Sequence, residues 1–282
     1  MADELNVTSP TGRIADLNAQ GDLYRSHGHP ALTEPLLGEA LELVERHYPD
    51  EPRRLASALN TLGLLRKELG KYDDARACYE RALLVLESAG AARPADVATL
   101  YHNLGGIEHA RGNFAIGEAL ARKGLEVRRS VASETDRELA ADTVALAAIL
   151  DGRQQFNEAE SLYLEALDTL EQQPEANAHE IAVAVNDLGA NYARRGLLDR
   201  AESLLTRAVD LKRRQLGQRH PDVALSLNNL AFVHELRGAC SRATDLYAEA
   251  LRMFEESVGP DHPKTYDCRQ NYERARALNS RM

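Results

Sequence analysis

Residues 220–259 read HPDVALSLNNLAFVHELRGACSRATDLYAEALRMFEESVG, and this stretch decides the fold. Leu225, Leu227, Leu230, Ala231 and His234 recur at helical spacing and predict a first helix that stops near Gly238. Ala243, Leu246, Tyr247, Ala250, Leu251 and Phe254 predict a second helix that stops near Gly259. Pro221 suits the start of the first helix, where a missing amide proton costs nothing, and Asp222 sits beside the positive helix N-terminus. Gly238 stands between the two helices, where a left-handed backbone is cheap for glycine alone.

The same pair recurs upstream with a period of 42 residues and no gaps. Leu62, Leu104, Leu146, Leu188 and Leu230 form one column. Two more hold small residues: Ala75, Gly117, Ala159, Ala201 and Ala243, then Ala82, Gly124, Ala166, Ala208 and Ala250. Tyr72, Phe114, Phe156, Leu198 and Cys240 make a column of mostly large apolar residues. Gly70, Gly112, Gly196 and Gly238 mark the inner turn; Gln154 takes that place once, so its turn is expected to close differently. Ala201 and Ala208 are seven apart on one helix face, where small side chains let a neighbouring helix approach closely. One helix pair cannot bury both its faces, so the pairs must stack.

The run from His220 to Ala231 and the later Gly259-Pro260-Asp261-His262-Pro263 resemble the tetratricopeptide repeat of the 42-residue, kinesin light chain type. The resemblance covers roughly residues 55 to 264 well. It implies an all-α, right-handed superhelical solenoid of tandem antiparallel helix pairs, about six pairs with a C-terminal capping helix. The expected organisation is a flexible N-terminus at 1–12, then one solenoid over 13–282. Within it lie a degenerate capping repeat at 13–54, full repeats at 55–96, 97–138, 139–180, 181–222 and 223–264, and a capping helix at 265–282. Neither the heptad coiled coil of true kinesin light chains nor a P-loop is read here, so only the repeat module transfers.

Composition narrows the function. A formal net charge of -10 argues against general affinity for nucleic acid. Cys78, Cys240 and Cys268 form no CxxC pair and read as reduced, partly buried thiols. No apolar run is long enough to span a membrane, and residues 1–13 lack the pattern of a secretory signal, so a cytoplasmic protein is expected. No catalytic or phosphate-binding motif is found, and no cofactor or metal is expected.

In the family that the chain resembles, first helices line a concave groove for extended peptides. That resemblance places Asn60, Lys67, His102, Asn103, His109, Val144, Ala148, Asp151, Asn186, Arg194, Asn228, Asn229, Phe232 and Asn271 along the groove. An amide carries both donors and an acceptor, so it can pair with a peptide main chain of any sequence; it can equally stitch neighbouring helices together. Val144 and Ala145 replace the polar pair of other repeats and predict an apolar floor with Ala148. Arg111, Arg153, Arg195 and Arg237 end successive first helices. They suit the helix dipole, or else form a basic rim for an acidic peptide, with Arg194 beside Arg195 marking the better end. The leading expectation is therefore an adaptor that captures a peptide segment of a partner protein, an acidic one if the rim is used. The alternatives are a groove enzyme, a cyclase or isomerase using His102, His109 and Asp151, and a sensor of a small ligand or signalling peptide.

Overall fold

The computed structural model describes residues 9–26, 30–133 and 136–280. Among them are thirteen α-helices and no strand, and the chain falls into two compact units, Met1–Arg93 and Pro94–Met282. The first unit holds α1 (Pro10–Ser26), a short 3-10 turn at Pro30–Leu32, α2 (Glu34–His47), α3 (Pro52–Glu68) and α4 (Tyr72–Ser88). The second holds α5 (Pro94–Ala110), α6 (Phe114–Arg129), α7 (Arg137–Gly152), α8 (Phe156–Leu170) and α9 (Ala178–Arg194). It continues through α10 (Leu198–Leu216), α11 (Pro221–Leu236), α12 (Cys240–Ser257) and α13 (Pro263–Asn279). Residues 1–8 of the expected flexible segment lie outside the described residues, and Pro10 to Gly12 belong to α1. Each first helix from α3 onward starts two or three residues before the repeat border read from the period.

The architecture is an all-α solenoid of helix pairs. Within the second unit, the first helices α5, α7, α9 and α11 each touch the next first helix as well as their own partner, and α13 closes the row against α11 and α12. The second helices sit further apart. The first helices therefore make one continuous inner row, and that row positions the candidate site.

Residues of the small columns are at the closest contacts. Ala75, Ala159, Ala201, Ala243, Ala82, Ala208 and Ala250 are all 0% exposed, and Gly117 and Gly124 are buried in the same columns. A second rule pairs large with small. Tyr79 lies over Gly63, where a Cβ would meet its ring at 2.5 Å, and Leu205 lies over Gly189 in the equivalent place. Each bulky side chain fills the gap its small partner leaves, which keeps the core at crystal-like density. In the degenerate first pair, Thr33 occupies the alanine column; it is fully buried and donates its hydroxyl to the Gly21 carbonyl at 3.1 Å.

The inner turns close alike in every full repeat. Gly70, Gly112, Gly196 and Gly238 have φ between +73° and +76°. Gln154, expected to differ, adopts the same left-handed conformation at φ +64°. Its turn makes the same pair of bonds: Gln154 N–H to the Asp151 carbonyl and Gln155 N–H to the Leu150 carbonyl, both 2.9 Å. The backbone path is dictated by the helices on either side, and the side chain bears the strain. Helix starts use imidazole as a cap: His220 Nδ1 accepts from Asp222 N–H at 3.2 Å and His262 Nδ1 from Lys264 N–H at 3.1 Å. All three cysteines are reduced and buried.

Candidate functional site

Of the expected groove residues, Asn60 and Lys67 lie half-buried on α3 of the first unit. The rest lie on the first helices of the second unit, and they divide into a buried layer and an accessible one. Asn103, Val144, Asp151 and Asn186 are at most 5% exposed. Asn186 shows why: its side-chain oxygen accepts from Ser226 Oγ at 2.8 Å and from Asn229 Nδ2 at 3.4 Å, both on α11. Its amide nitrogen donates to Asp187 at 2.9 Å. That amide is spent on holding α11 against α9, the stitching role open to it in the sequence.

The accessible layer converges. Asn228, Asn229, Phe232, Asn271 and Arg194 line one cavity of about 390 Å³ between α9, α11 and α13, with Ala190, Ala193 and Arg274. Asn271 Nδ2 donates to Asn228 Oδ1 at 3.1 Å, which leaves the Asn228 NH2 group free for another acceptor. Two guanidiniums flank the amides, each fixed from behind by a carboxylate, buried at Asp151 and partly buried at Glu235. Arg194 pairs with Asp151, which also accepts from Asn191 Nδ2 at 3.0 Å. Arg274 forks onto Glu235 at 2.7 and 3.0 Å, and Tyr247 donates to the same carboxylate at 3.0 Å. The outer faces of Arg194 and Arg274 stay 45% and 47% exposed. Held this way, a guanidinium loses little further freedom when it meets an anion.

The expected His-Asp row takes another form. Asp151 is committed to Arg194 and Asn191, and His109 lies against the Phe114 ring at 5.6 Å. The carboxylate beside an imidazole is Asp142: its Oδ1 lies 2.7 Å from His102 Nδ1, and its Oδ2 accepts from Arg128 Nε at 2.9 Å. Arg128 also donates to Glu138 at 2.6 Å and to Thr99 at 3.0 Å. His102 lines a cavity of about 320 Å³ between α5, α7 and α9, whose walls include Val144 and Ala145. The apolar floor expected at Val144 is thus part of a real cavity, and Ala148 lies outside its lining.

With this geometry in place, comparison with known proteins is direct. A model of the tetratricopeptide repeat matches residues 96–172 and 180–256, and a second model of the same repeat matches 56–87. The chain belongs to the tetratricopeptide repeat family. Comparison with curated proteins gives no significant match. Among solved structures, this repeat chain is similar to BtubC (BKLC) from P. vanneervenii, at 24% identity and a TM-score of 0.57 over 89% of this chain and 93% of that one. It is similar to a Podosopora anserina putative kinesin light chain with nearly identical TPR-like repeats, at 18% identity and a TM-score of 0.51 over 73% and 97%. NprR in complex with its cognate peptide NprX aligns with a TM-score of 0.72 at 14% identity, over 96% and 75%. These likenesses show the fold.

Within the tetratricopeptide array, the arginine column has a role that neither sequence reading contained. Arg153 pairs with Glu118, Arg195 with Glu160, and Arg237 with Glu202 at 3.0 Å, each reaching back to the second helix of the preceding repeat. Tyr192 adds a bond to Glu160 at 2.8 Å. The hydrogen bond from Arg195 holds the Glu160 carboxyl below the usual carboxylate range, against the opposing effect of burial. These arginines clamp repeat to repeat, and the guanidiniums that line the α9–α11–α13 cavity belong to Arg194 and Arg274. A wider cleft of about 640 Å³ opens between the second helices α8 and α10, lined by Leu164, Leu204 and Tyr192 among others. No helix among the described residues is long and apolar enough to cross a membrane.

Proposed function

We propose that the row of first helices in the second unit binds a segment of a partner polypeptide, with the α9–α11–α13 cavity as its anchor. The observation that carries this reading is the convergence of Asn228, Asn229, Asn271 and Phe232 between two outward guanidiniums. Amides serve main-chain groups of any sequence, Phe232 offers an aromatic face, and Arg194 and Arg274 suit carboxylates. The preferred partner segment is therefore extended and carries an acidic residue. NprR, which shares the fold, was solved with a peptide bound, and this supports the class of partner.

The test is selection of extended peptides from a random display library on the full chain, followed by calorimetric titration of the winners. Asn229→Ala and Asn271→Ala should each weaken binding by about 0.5–1.5 kcal/mol, the range of a net hydrogen bond. A photo-crosslinking residue at position 232 should capture the peptide, and one at position 164 should not. Winners that bind both alanine variants as well as wild type would sink this reading. The catalytic alternative is answered in the same samples by mass spectrometry. Because Asp151 is engaged elsewhere, conversion would have to depend on His102 with Asp142 as its orienting partner, and His102→Gln would abolish it.

A further inference from the structure

The cavity at α5, α7 and α9 differs chemically from the one at α9, α11 and α13. Its apolar walls come from Ala141, Val144, Ala145 and Val183, and its polar lining from His102, His179 and Glu180. The Nδ1 atom of His102 is sealed from solvent 2.7 Å from Asp142, while the side chain as a whole stays 30% exposed. His102 adds an imidazole to the polar wall of the cavity. Glu180 supplies a carboxylate. Its Oε1 lies 3.6 Å from Arg137, and its Oε2 is shut off from bulk water with no protein donor bonded to it. A carboxylate oxygen left in that state is costly, and a rotation of the side chain, 19% exposed as a whole, that brings it to a ligand donor relieves the cost. The cavity thus combines an apolar barrel with a carboxylate oxygen that lacks a donor.

We propose that this cavity receives a lysine or arginine side chain of the bound segment, its methylene stem against Val144 and Val183 and its cationic head on Glu180. The inference rests on the groove reading above and adds a direction to it. Basic and acidic residues of the partner are read by different cavities, centred on α7 and α11. Two helix spacings separate these centres, about 20 Å, which is roughly six residues of extended chain. A segment entering with the opposite polarity would place its carboxylate on Glu180 and its cation between Arg194 and Arg274.

The cavity is tested without any peptide. The full chain, with valine methyls labelled, is titrated with butylguanidinium chloride and separately with sodium butyrate, while the Val144 and Val183 resonances are followed. Butylguanidinium should shift both residues in a saturable way, and butyrate should leave them in place. Glu180→Gln should weaken the butylguanidinium titration roughly fivefold or more, with an unchanged thermal midpoint as evidence of intact folding. His102→Gln, which leaves the Glu180 carboxylate in place, should weaken it less. Equal response of wild type and Glu180→Gln, preference for butyrate, or no saturable response to butylguanidinium would each overturn the proposal. The two readings part cleanly. Butylguanidinium binding by a chain that selects no peptides keeps the cation cavity and sinks the groove. Peptides lacking a basic residue about six positions from the acidic one keep the groove and sink the cavity.

Discussion

At the residue scale, the informative positions are those where one repeat departs from its column. Arg128 and Lys212 occupy a column that elsewhere holds Leu86, Leu170 and Phe254, and both are nearly fully buried. The two cations are solved differently. Arg128 is bonded to Asp142, Glu138 and Thr99, so its removal strands a buried carboxylate. Arg128→Met should cost about 3–5 kcal/mol in urea unfolding. Lys212 has only the longer-range pull of Asp222 and Asp187, and burial holds its ammonium below the usual lysine range. Lys212→Met should therefore be within about 1 kcal/mol of neutral; a loss matching that of Arg128→Met would refute the distinction. Glu160 gives a pH prediction. Its folded carboxyl is lowered relative to the unfolded chain, so its clamp stabilises above the ordinary carboxylate range and is lost as pH falls through the lowered value. Glu160→Gln should be less stable than wild type at pH 7, and the gap in thermal midpoint should shrink on acidification below about pH 4.

At the scale of elements, a helix pair is defined by how closely its two helices approach and by how sharply it turns. Ala208 on α10 is 0% exposed at a close helix contact, so Ala208→Leu should cost about 1–3 kcal/mol through overpacking. A denaturation midpoint equal to wild type would contradict that packing. The α7–α8 turn is the strained one. Gln154 carries a Cβ at φ +64° where its four counterparts are glycine, and Gln154→Gly should stabilise by up to about 1 kcal/mol. A loss of stability there would mean that the glutamine side chain contributes more than its backbone costs.

At the scale of the molecule, the main contacts in the second unit run to the next helix or the next first helix, as a one-dimensional array requires. Deleting 181–222 should leave a folded, shorter array by circular dichroism and size exclusion. Deleting 181–198 should expose an apolar face and aggregate. Equal behaviour of the two deletions would mean that the repeat is not the folding unit. The period of 42, the small columns and the turn glycines were legible because each repeats a local cause: spacing around a helix, room for a close approach, access to left-handed backbone. That Asn228, Asn229, Phe232 and Asn271 would lie together was legible for the same reason, since they share one face of equivalent helices and line one cavity. Pairings between repeats were not. Arg153 with Glu118, Asp151 with Arg194 and His102 with Asp142 join residues 35 to 43 apart, and no local rule selects one partner across that distance. Their trace in the sequence is faint: opposite charges such as Arg128 and Asp142 standing in columns that are otherwise apolar or small. The sequence alone determined the helix pairs and their stacking, because these follow from patterns carried within each repeat. Which amides are spent inside, which guanidiniums face outward and which imidazole gains a carboxylate were decided by the tertiary structure, because partnership depends on the offset at which one repeat docks on the next.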